Sequence, residues 1–364
     1  MRVLFCYYKH KPGGFCKRLY RGMNALVAQG SEVWYLTAEP PTVGLDPRVQ
    51  VLRLWGGLGK GSCLWATFLV TGAFQAALLA RRLALERLVA FGPFYAALLW
   101  GASKVSSASL VLFVRSRLGV SSSRSPLFDR LFSTADRWGV RSASVVVALT
   151  QVMKRSVEEL LPSGSKVPVL VLPNDIRSAT SRSWQAPSEG KPLTALVLGA
   201  FSESKNLSFL LEVFSLIERR GESSWRLQVV GKGEALSSFE AQAQARGVRS
   251  IEVLPWTENV EPLFLEAALL LHPSRHEGMP NVVLEALSYG VPVLCADIPE
   301  LRELMVEETC LFSLADPQGL AERLLLYEKN RAEFQVLEAI IHKRRAALTF
   351  DWDGRFEQIT TQLR

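Results

Sequence analysis

At 364 residues, 48% hydrophobic and 21% charged, the chain is long enough for two globular domains and too apolar to be intrinsically disordered. Its net charge of +7 is unevenly held: residues 1–150 carry 19 Lys and Arg against 6 Asp and Glu, a net of +13, which leaves −6 for the remainder. A basic half suits nucleic acid or an anionic membrane, and with no helix-turn-helix or aromatic RNP pattern in it the membrane is the expected partner, not nucleic acid.

The opening MRVLFCYY is strand-like over Arg2–Tyr8 and lacks the basic, apolar and cleavage regions of a signal peptide. The loop KHKPGGFCKR follows, then a helix from about Leu19 to Gln29 ended by Gly30, and a strand over Glu32–Thr37. The pair Gly13-Gly14 leaves backbone N–H groups open to a phosphate or sugar, and Lys9, Lys11, Lys17 and Arg18 add positive charge. The segment GGLGKGS at Gly56–Ser62 is not a phosphate loop, because Gly61 separates Lys60 from Ser62.

From Gly61 to Ala80 no residue is charged, a length at the lower limit for a membrane span. Thr67, Thr71 and Gln75 recur every fourth residue, opposite Leu64, Trp65, Phe68, Leu69, Ala76 and Leu79. That pattern predicts an amphipathic helix, packed on a core or inserted shallowly in a membrane interface, with Arg81, Arg82 and Arg87 after it. Buried strands are expected over Ser109–Arg115 and Ser144–Thr150, with a helix around Pro126–Trp138 between them. Arg115 and Arg117 close the first of these strands, where a guanidinium suits either an anionic acceptor or a salt bridge.

Pro168–Leu172 reads as the last strand of a first domain spanning 1–173. The polar, Ser- and Pro-bearing stretch 174–191 is the expected linker to a second domain, 192–348. There, strands over Leu193–Gly199, Arg226–Gly231, Ile251–Leu254, Ala267–Leu271 and Val291–Ala296 alternate with helices, which argues a doubly wound parallel sheet. Gly199 ends the first of these strands, Gly231 the second, and Trp256 follows the third. Asp351-Trp352-Asp353 has the form of a metal-binding DxD, but its place before a terminal helix makes an N-cap the better reading. Five dispersed cysteines without a CxxC pair and four scattered histidines offer no standard zinc spacing and fit a reducing cytosol.

The most informative stretch is Leu271–Leu304, LHPSRHEGMPNVVLEALSYGVPVLCADIPELREL. A buried strand runs into a loop of Ser274, Arg275, His276, Glu277 and Gly278, then a helix opened by Pro280 and closed by Gly290, then a second buried strand. In such a unit ligands bind at the carboxyl ends of the strands, and the helix start favours an anion. Glu277 and Glu285, eight residues apart, add acceptors for sugar hydroxyls on either side of that start.

PSRHEGMPNVVLEALSYGVPV resembles the signature of retaining GT-B glycosyltransferases of family 4. The resemblance implies an α/β, GT-B fold of two Rossmann-like doubly wound parallel-sheet domains facing across a cleft, with a terminal helix, 349–364, returning to the first. It also implies that Glu277 sits by the donor sugar and Glu285 binds the ribose. Arg275, Gly278, Met279, Pro280 and Asn281 complete that loop. Lys205 in GAFSESKN matches the family's diphosphate lysine, six residues after Gly199, whereas Ala200 stands where an arginine is expected. Gly231-Lys232-Gly233 matches the GxG turn, Trp256 the nucleobase side, and Gly13-Gly14 the glycine loop of the first domain. Arg115 and Arg117 replace a histidine on the acceptor side.

The expected activity is transfer of a sugar from a UDP- or GDP-linked donor to a glycan or lipid-linked acceptor in cell-surface polysaccharide synthesis. Glu277 and Lys205 are its catalytic candidates, no cofactor or metal is expected, and the location is cytoplasmic, at the inner face of a membrane. Rival readings are a nucleotide-sugar epimerase of the same fold, a nicotinamide-dependent oxidoreductase using Gly231-Lys232-Gly233, and a non-catalytic partner of another transferase.

Overall fold

The structure, a computed structural model, describes residues 1–8, 14–39, 44–55, 62–116, 118, 126–177, 184–188, 190–221 and 223–362. The chain forms two compact units, Met1–Pro173 with Asp351–Arg364, and Asn174–Phe350.

The first unit opens with β1 (Arg2–Cys6), α1 (Gly14–Ala28), β2 (Glu32–Thr37), β3 (Gln50–Arg53) and α2 (Ser62–Arg82). It continues through β4 (Arg87–Phe91), α3 (Pro93–Val105), β5 (Ser109–Val114), α4 (Pro126–Ser142), β6 (Val145–Ala148), α5 (Gln151–Glu158) and β7 (Val169–Val171). Its strands make one parallel sheet in the order β3-β2-β1-β4-β5-β6-β7. Strands buried on both faces are apolar throughout, as VLFC in β1, SLVLFV in β5 and VVVA in β6 are.

Three features differ from the sequence expectation. Helix α1 begins at Gly14, a turn before Leu19, because Phe15 and the buried Cys16 extend the stripe of Leu19, Tyr20 and Met23. Strand β4 was not singled out by periodicity, yet it pairs with both β1 and β5. Its run RLVAF is followed directly by the apolar α3, with Gly92, at φ 120°, and Pro93 at the helix start marking the break. In α2 the polar stripe faces inward at Gln75. The buried Gln75 amide accepts from the Trp55 N–H at 3.0 Å and donates to the Arg53 carbonyl at 2.9 Å. It thereby satisfies the backbone where the edge strand β3 ends. Gly13, Arg117 and the segment Gly56–Gly61 lie outside the described residues.

The terminal helix α13 (Trp352–Gln362) belongs to this first unit. Its DxD carboxylates both serve structure. Asp351 caps the helix by accepting from the Gly354 N–H at 2.9 Å, and Asp353 pairs with Arg21 at 2.6 Å. Arg87 donates to the Thr360 and Thr361 carbonyls at 2.9 and 3.0 Å, while the Phe356 ring stacks on Phe113 at 5.0 Å between centroids.

The second unit contains β8 (Leu193–Ala200), α6 (Leu207–Arg219), β9 (Trp225–Lys232), α7 (Glu234–Ala245), β10 (Ile251–Pro255), α8 (Glu261–Glu266) and β11 (Leu269–His272). It ends with α9 (Asn281–Tyr289), β12 (Val293–Ala296), α10 (Pro299–Met305), β13 (Leu311–Phe312), α11 (Pro317–Lys329) and α12 (Ala332–Leu348). The parallel sheet order is β10-β9-β8-β11-β12-β13. The chain therefore starts in the middle, builds outward to β10, and returns to the other side of β8 as β11. That reversal is the point where open parallel sheets bind ligands. Within the stretch expected as linker, Trp184 is buried, and its indole N–H donates to the Ala267 carbonyl at 2.7 Å.

Phe356→Ala is expected to destabilise the first unit by about 3–5 kcal/mol, and Asp351→Ala by about 1 kcal/mol. Denaturant unfolding of each variant checks the order and size of these effects.

Candidate functional site

The site grows from the two elements that flank the reversal in strand order. After β8 the chain makes a 3-10 turn over Glu203–Lys205, stopped by Asn206 in the left-handed region at φ 53°. After β11 it makes the loop 273–280 before α9. The two are tied together: the Arg275 N–H donates to the Ser204 carbonyl at 2.9 Å, and the Arg275 guanidinium donates to the Asn206 side-chain oxygen at 3.0 Å. Met279 is held from behind, its sulfur accepting from the Asn174 N–H at 3.1 Å.

This clamp brings Lys205 and Glu277 into contact, with Lys205 Nζ 2.5 Å from Glu277 Oε1. The same oxygen lies 2.9 Å from Nε2 of His272, the last residue of β11. The Glu277 side chain is 10% exposed, that of His272 5% and that of Lys205 28%. An ionised carboxylate only accepts, so His272 Nε2 carries the hydrogen. Burial pushes the Glu277 carboxyl up, but the bond and charge of His272 and Lys205 outweigh it and bring it from 4.5 to about 2. Both donors share Oε1, and among the described residues Oε2 takes no hydrogen bond.

Neighbouring strands finish at the same edge. Gly199 of β8 and Gly231 of β9 stand opposite each other, and a side chain at 231 would come within 1.9 Å of the Gly199 carbonyl oxygen. Gly233 meets the Phe201 carbonyl oxygen in the same way, at 2.1 Å. Only glycine permits this approach, which leaves bare backbone at the strand ends. Beyond β10, the half-buried Trp256 has the Lys232 ammonium 5.1 Å from its ring centre. Ala200, exposed at the end of β8, supplies no cation where an arginine was expected.

Gly278 and Met279 are buried in the loop, and Pro280 occupies the cap position just before the helix, not its first turn. Asn281 opens α9, which has no acidic residue in its first turn, so its start presents uncompensated N–H groups. Glu285 is half-buried on α9, four residues on from Asn281. The sequence reading missed His272. Its one signal was a lone polar residue ending the buried run LLLH, which is compatible with any satisfied core histidine.

The donor-side Gly14 and the acceptor-side Arg115 belong to the first unit. Gly14 is the first residue of α1. The Arg115 guanidinium carbon sits 3.1 Å from the centre of the Phe15 ring, and Arg115 bonds the Tyr7 hydroxyl. Burial lowers its pKa, and no carboxylate pairs with it among the described residues. Of the two readings offered for this arginine, the salt bridge is therefore not seen among the described residues.

Because Glu277 titrates lower in the folded unit than its ordinary 4.5, the stability it contributes is complete above about pH 4.5 and is lost as pH falls towards about 2. His272→Leu should raise that window and cost roughly 3–5 kcal/mol, as for a buried charge deprived of a partner. His272→Gln, whose amide can still donate, should restore most of it. Unfolding free energies measured across this pH range decide the matter.

Known proteins resemble this chain in sequence and in fold. Residues 192–330 match the model of the glycosyl transferases group 1 family, and residues 13–175 that of the glycosyl transferase 4-like domain. An uncharacterized glycosyltransferase of Haemophilus influenzae is 26% identical over 180 residues, 49% of each chain. A lipopolysaccharide 1,6-galactosyltransferase of Escherichia coli is 31% identical over 120 residues, 31% of this chain and 32% of that one. The chain spans about half the length of the curated relatives it matches. Among solved structures, a sucrose-phosphate synthase from Thermosynechococcus elongatus superposes with a TM-score of 0.83 at 16% identity, covering 100% of this chain and 98% of that one. The Anabaena protein HepE in complex with UDP gives 0.76 at 14%, covering 100% and 99%. With both halves matched by the family's models and a likeness in fold along its whole length, the chain belongs to the group 1 glycosyl transferases, family 4 proteins of the GT-B fold.

Proposed function

We propose that this protein is a retaining, metal-independent glycosyltransferase. It takes a sugar from a UDP- or GDP-linked donor and passes it to a glycan or lipid-linked acceptor in surface polysaccharide synthesis. The observation that carries the reading is the buried Glu277 carboxylate, held by Lys205 and His272 at the sheet's reversal point. Relatives named for lipopolysaccharide synthesis, and a structural neighbour in complex with UDP, support the choice of acceptor and donor class.

In this mechanism the donor diphosphate lies against Lys205 and the start of α9, with Arg275 supplying the second cation that Ala200 does not. Lys205 exchanges part of its bond to Glu277 for the phosphate oxygens as charge builds on the leaving group. Such preorganised donors act without reorganisation at the moment of bond breaking. Glu277 keeps its position through His272, and Oε2 accepts from the sugar hydroxyls. Glu285 accepts from the ribose, Trp256 lies beside the base, and the bare backbone at Gly199 and Gly231 lets the nucleotide approach closely. Gly14 faces the donor, and Arg115 acts on the acceptor side.

The test begins with a thermal-stability screen of nucleotide sugars, since a ligand bound only by the folded state raises the midpoint. With the donor so found, Lys205→Ala and Glu285→Ala should each lower turnover by about 100- to 1000-fold while leaving circular dichroism unchanged. An α-linked donor should give an α-linked product by NMR. Wild-type rates in both variants, or an inverted product, contradict the proposal. Epimerised sugar released without acceptor would move the assignment to an epimerase of the same fold.

A further inference from the structure

Helices α2, α3 and α4 lie side by side in the first unit, with α3 packed against both neighbours. All three belong to crossovers running the same way along the sheet, so right-handedness puts them on one face. Their outward positions are unusually apolar. Val70 and Phe74 on α2 are 73% and 65% exposed, Trp100 and Val105 on α3 37% and 46%, and Trp138 on α4 48%. The Trp100 and Trp138 rings meet from adjoining helices with centroids 5.5 Å apart, and Phe74 meets Trp55, beyond the end of β3, at 6.4 Å.

On α2 the exposed Val70 and Phe74 lie away from the side that meets the core, where Phe68 and Ala76 are fully buried. Gln75, the most polar residue of its mid-section, turns inward beside Ala76 to hold the end of the edge strand. The helix is therefore apolar on its outward side as well as on the side that meets the core.

Charge indicates what covers it. Neither α2 nor α3 contains an acidic residue, and the last turns of the three helices carry Arg81, Arg82, Lys104 and Arg141, all exposed. Crossover helices run antiparallel to the strands, so these cations gather at one end of the face. Exposed aromatic rings beside a cationic end match the layering of an anionic bilayer, whose apolar interior lies under a sheet of phosphates. No helix among the described residues is long and apolar enough to cross a membrane.

We propose that the face formed by α2, α3 and α4 docks on an anionic lipid bilayer. Its indoles and Phe74 enter the interfacial layer, where amphipathic aromatic rings are favoured. Arg81, Arg82, Lys104 and Arg141 lie against lipid phosphates. This concerns where the protein works and does not depend on the donor chemistry proposed above.

Sedimentation of the full chain with phosphatidylcholine vesicles, with and without phosphatidylglycerol, tests it. The chain should partition onto the phosphatidylglycerol vesicles and remain in solution with phosphatidylcholine alone. Raising salt from 0.1 M to 1 M, which shortens the screening length from about 10 Å to about 3 Å, should release it. Arg81→Ala and Lys104→Ala should each lower the partition coefficient about fivefold, the equivalent of about 1 kcal/mol per cation. Trp100→Ser combined with Trp138→Ser should abolish binding while leaving the thermal midpoint and its increase with nucleotide unchanged. Failure to bind phosphatidylglycerol vesicles overturns the proposal, as does binding that these substitutions leave intact. A dimer seen by light scattering and lost in the double tryptophan variant would instead assign the face to a second copy.

Discussion

A carboxylate that is nine-tenths buried is stable only where donors surround it, and the second unit is arranged around meeting that demand at Glu277. Its Oε1 receives Lys205 from the turn after β8 and His272 from the end of β11. Because those two strands are neighbours in the sheet but far apart in sequence, the pair can form only if the chain returns to the middle after building β9 and β10. The bonds from Arg275 to Ser204 and Asn206 hold the two loops in register. Removing either donor would leave the buried charge with a single partner, so the cluster stabilises the fold and keeps an acceptor oriented at once.

The rest of that edge is shaped by closeness. Gly231 and Gly233 let the end of β9 approach the Gly199 and Phe201 backbone nearer than any side chain would permit. The result is an edge of closely packed backbone, with the Glu277 carboxylate, the Lys205 ammonium and the start of α9 in the same unit. Peptide groups, a cation and a helix start are all suited to phosphate, and the carboxylate to sugar hydroxyls. The chemistry of a diphospho-sugar is thus matched by the kinds of group present, with each held by packing or by a partner bond.

Much of this was legible in the chain because spacing carries geometry. Regular βα alternation after residue 190 could only be a parallel sheet, and the Glu277–Glu285 interval around Pro280 placed two carboxylates on a loop and the helix after it. The DxD at Asp351–Asp353 resolved to a cap, as its place before a helix implied. Other features had no local signature. Strand β4 and helix α3 form one apolar run in which periodicity of two cannot be told from that of 3.6. His272 looked like any core residue, since its partner lies five positions away through a folded loop. In α2 the apolar side turned inward at Phe68 and Ala76, and what the pattern did not show was Gln75 drawn in beside them by the unsatisfied backbone of an edge strand.

The central claim is that the carboxyl edge of the second unit's sheet is built for a nucleoside diphosphate. Calorimetric titration of the full chain with UDP and with GDP tests it most directly. The account predicts saturable binding of one of the two at a single site, weakened at least about tenfold by Glu285→Ala, as when a buried acceptor for a ribose hydroxyl is lost. Absence of heat and of competition for both nucleotides would contradict it.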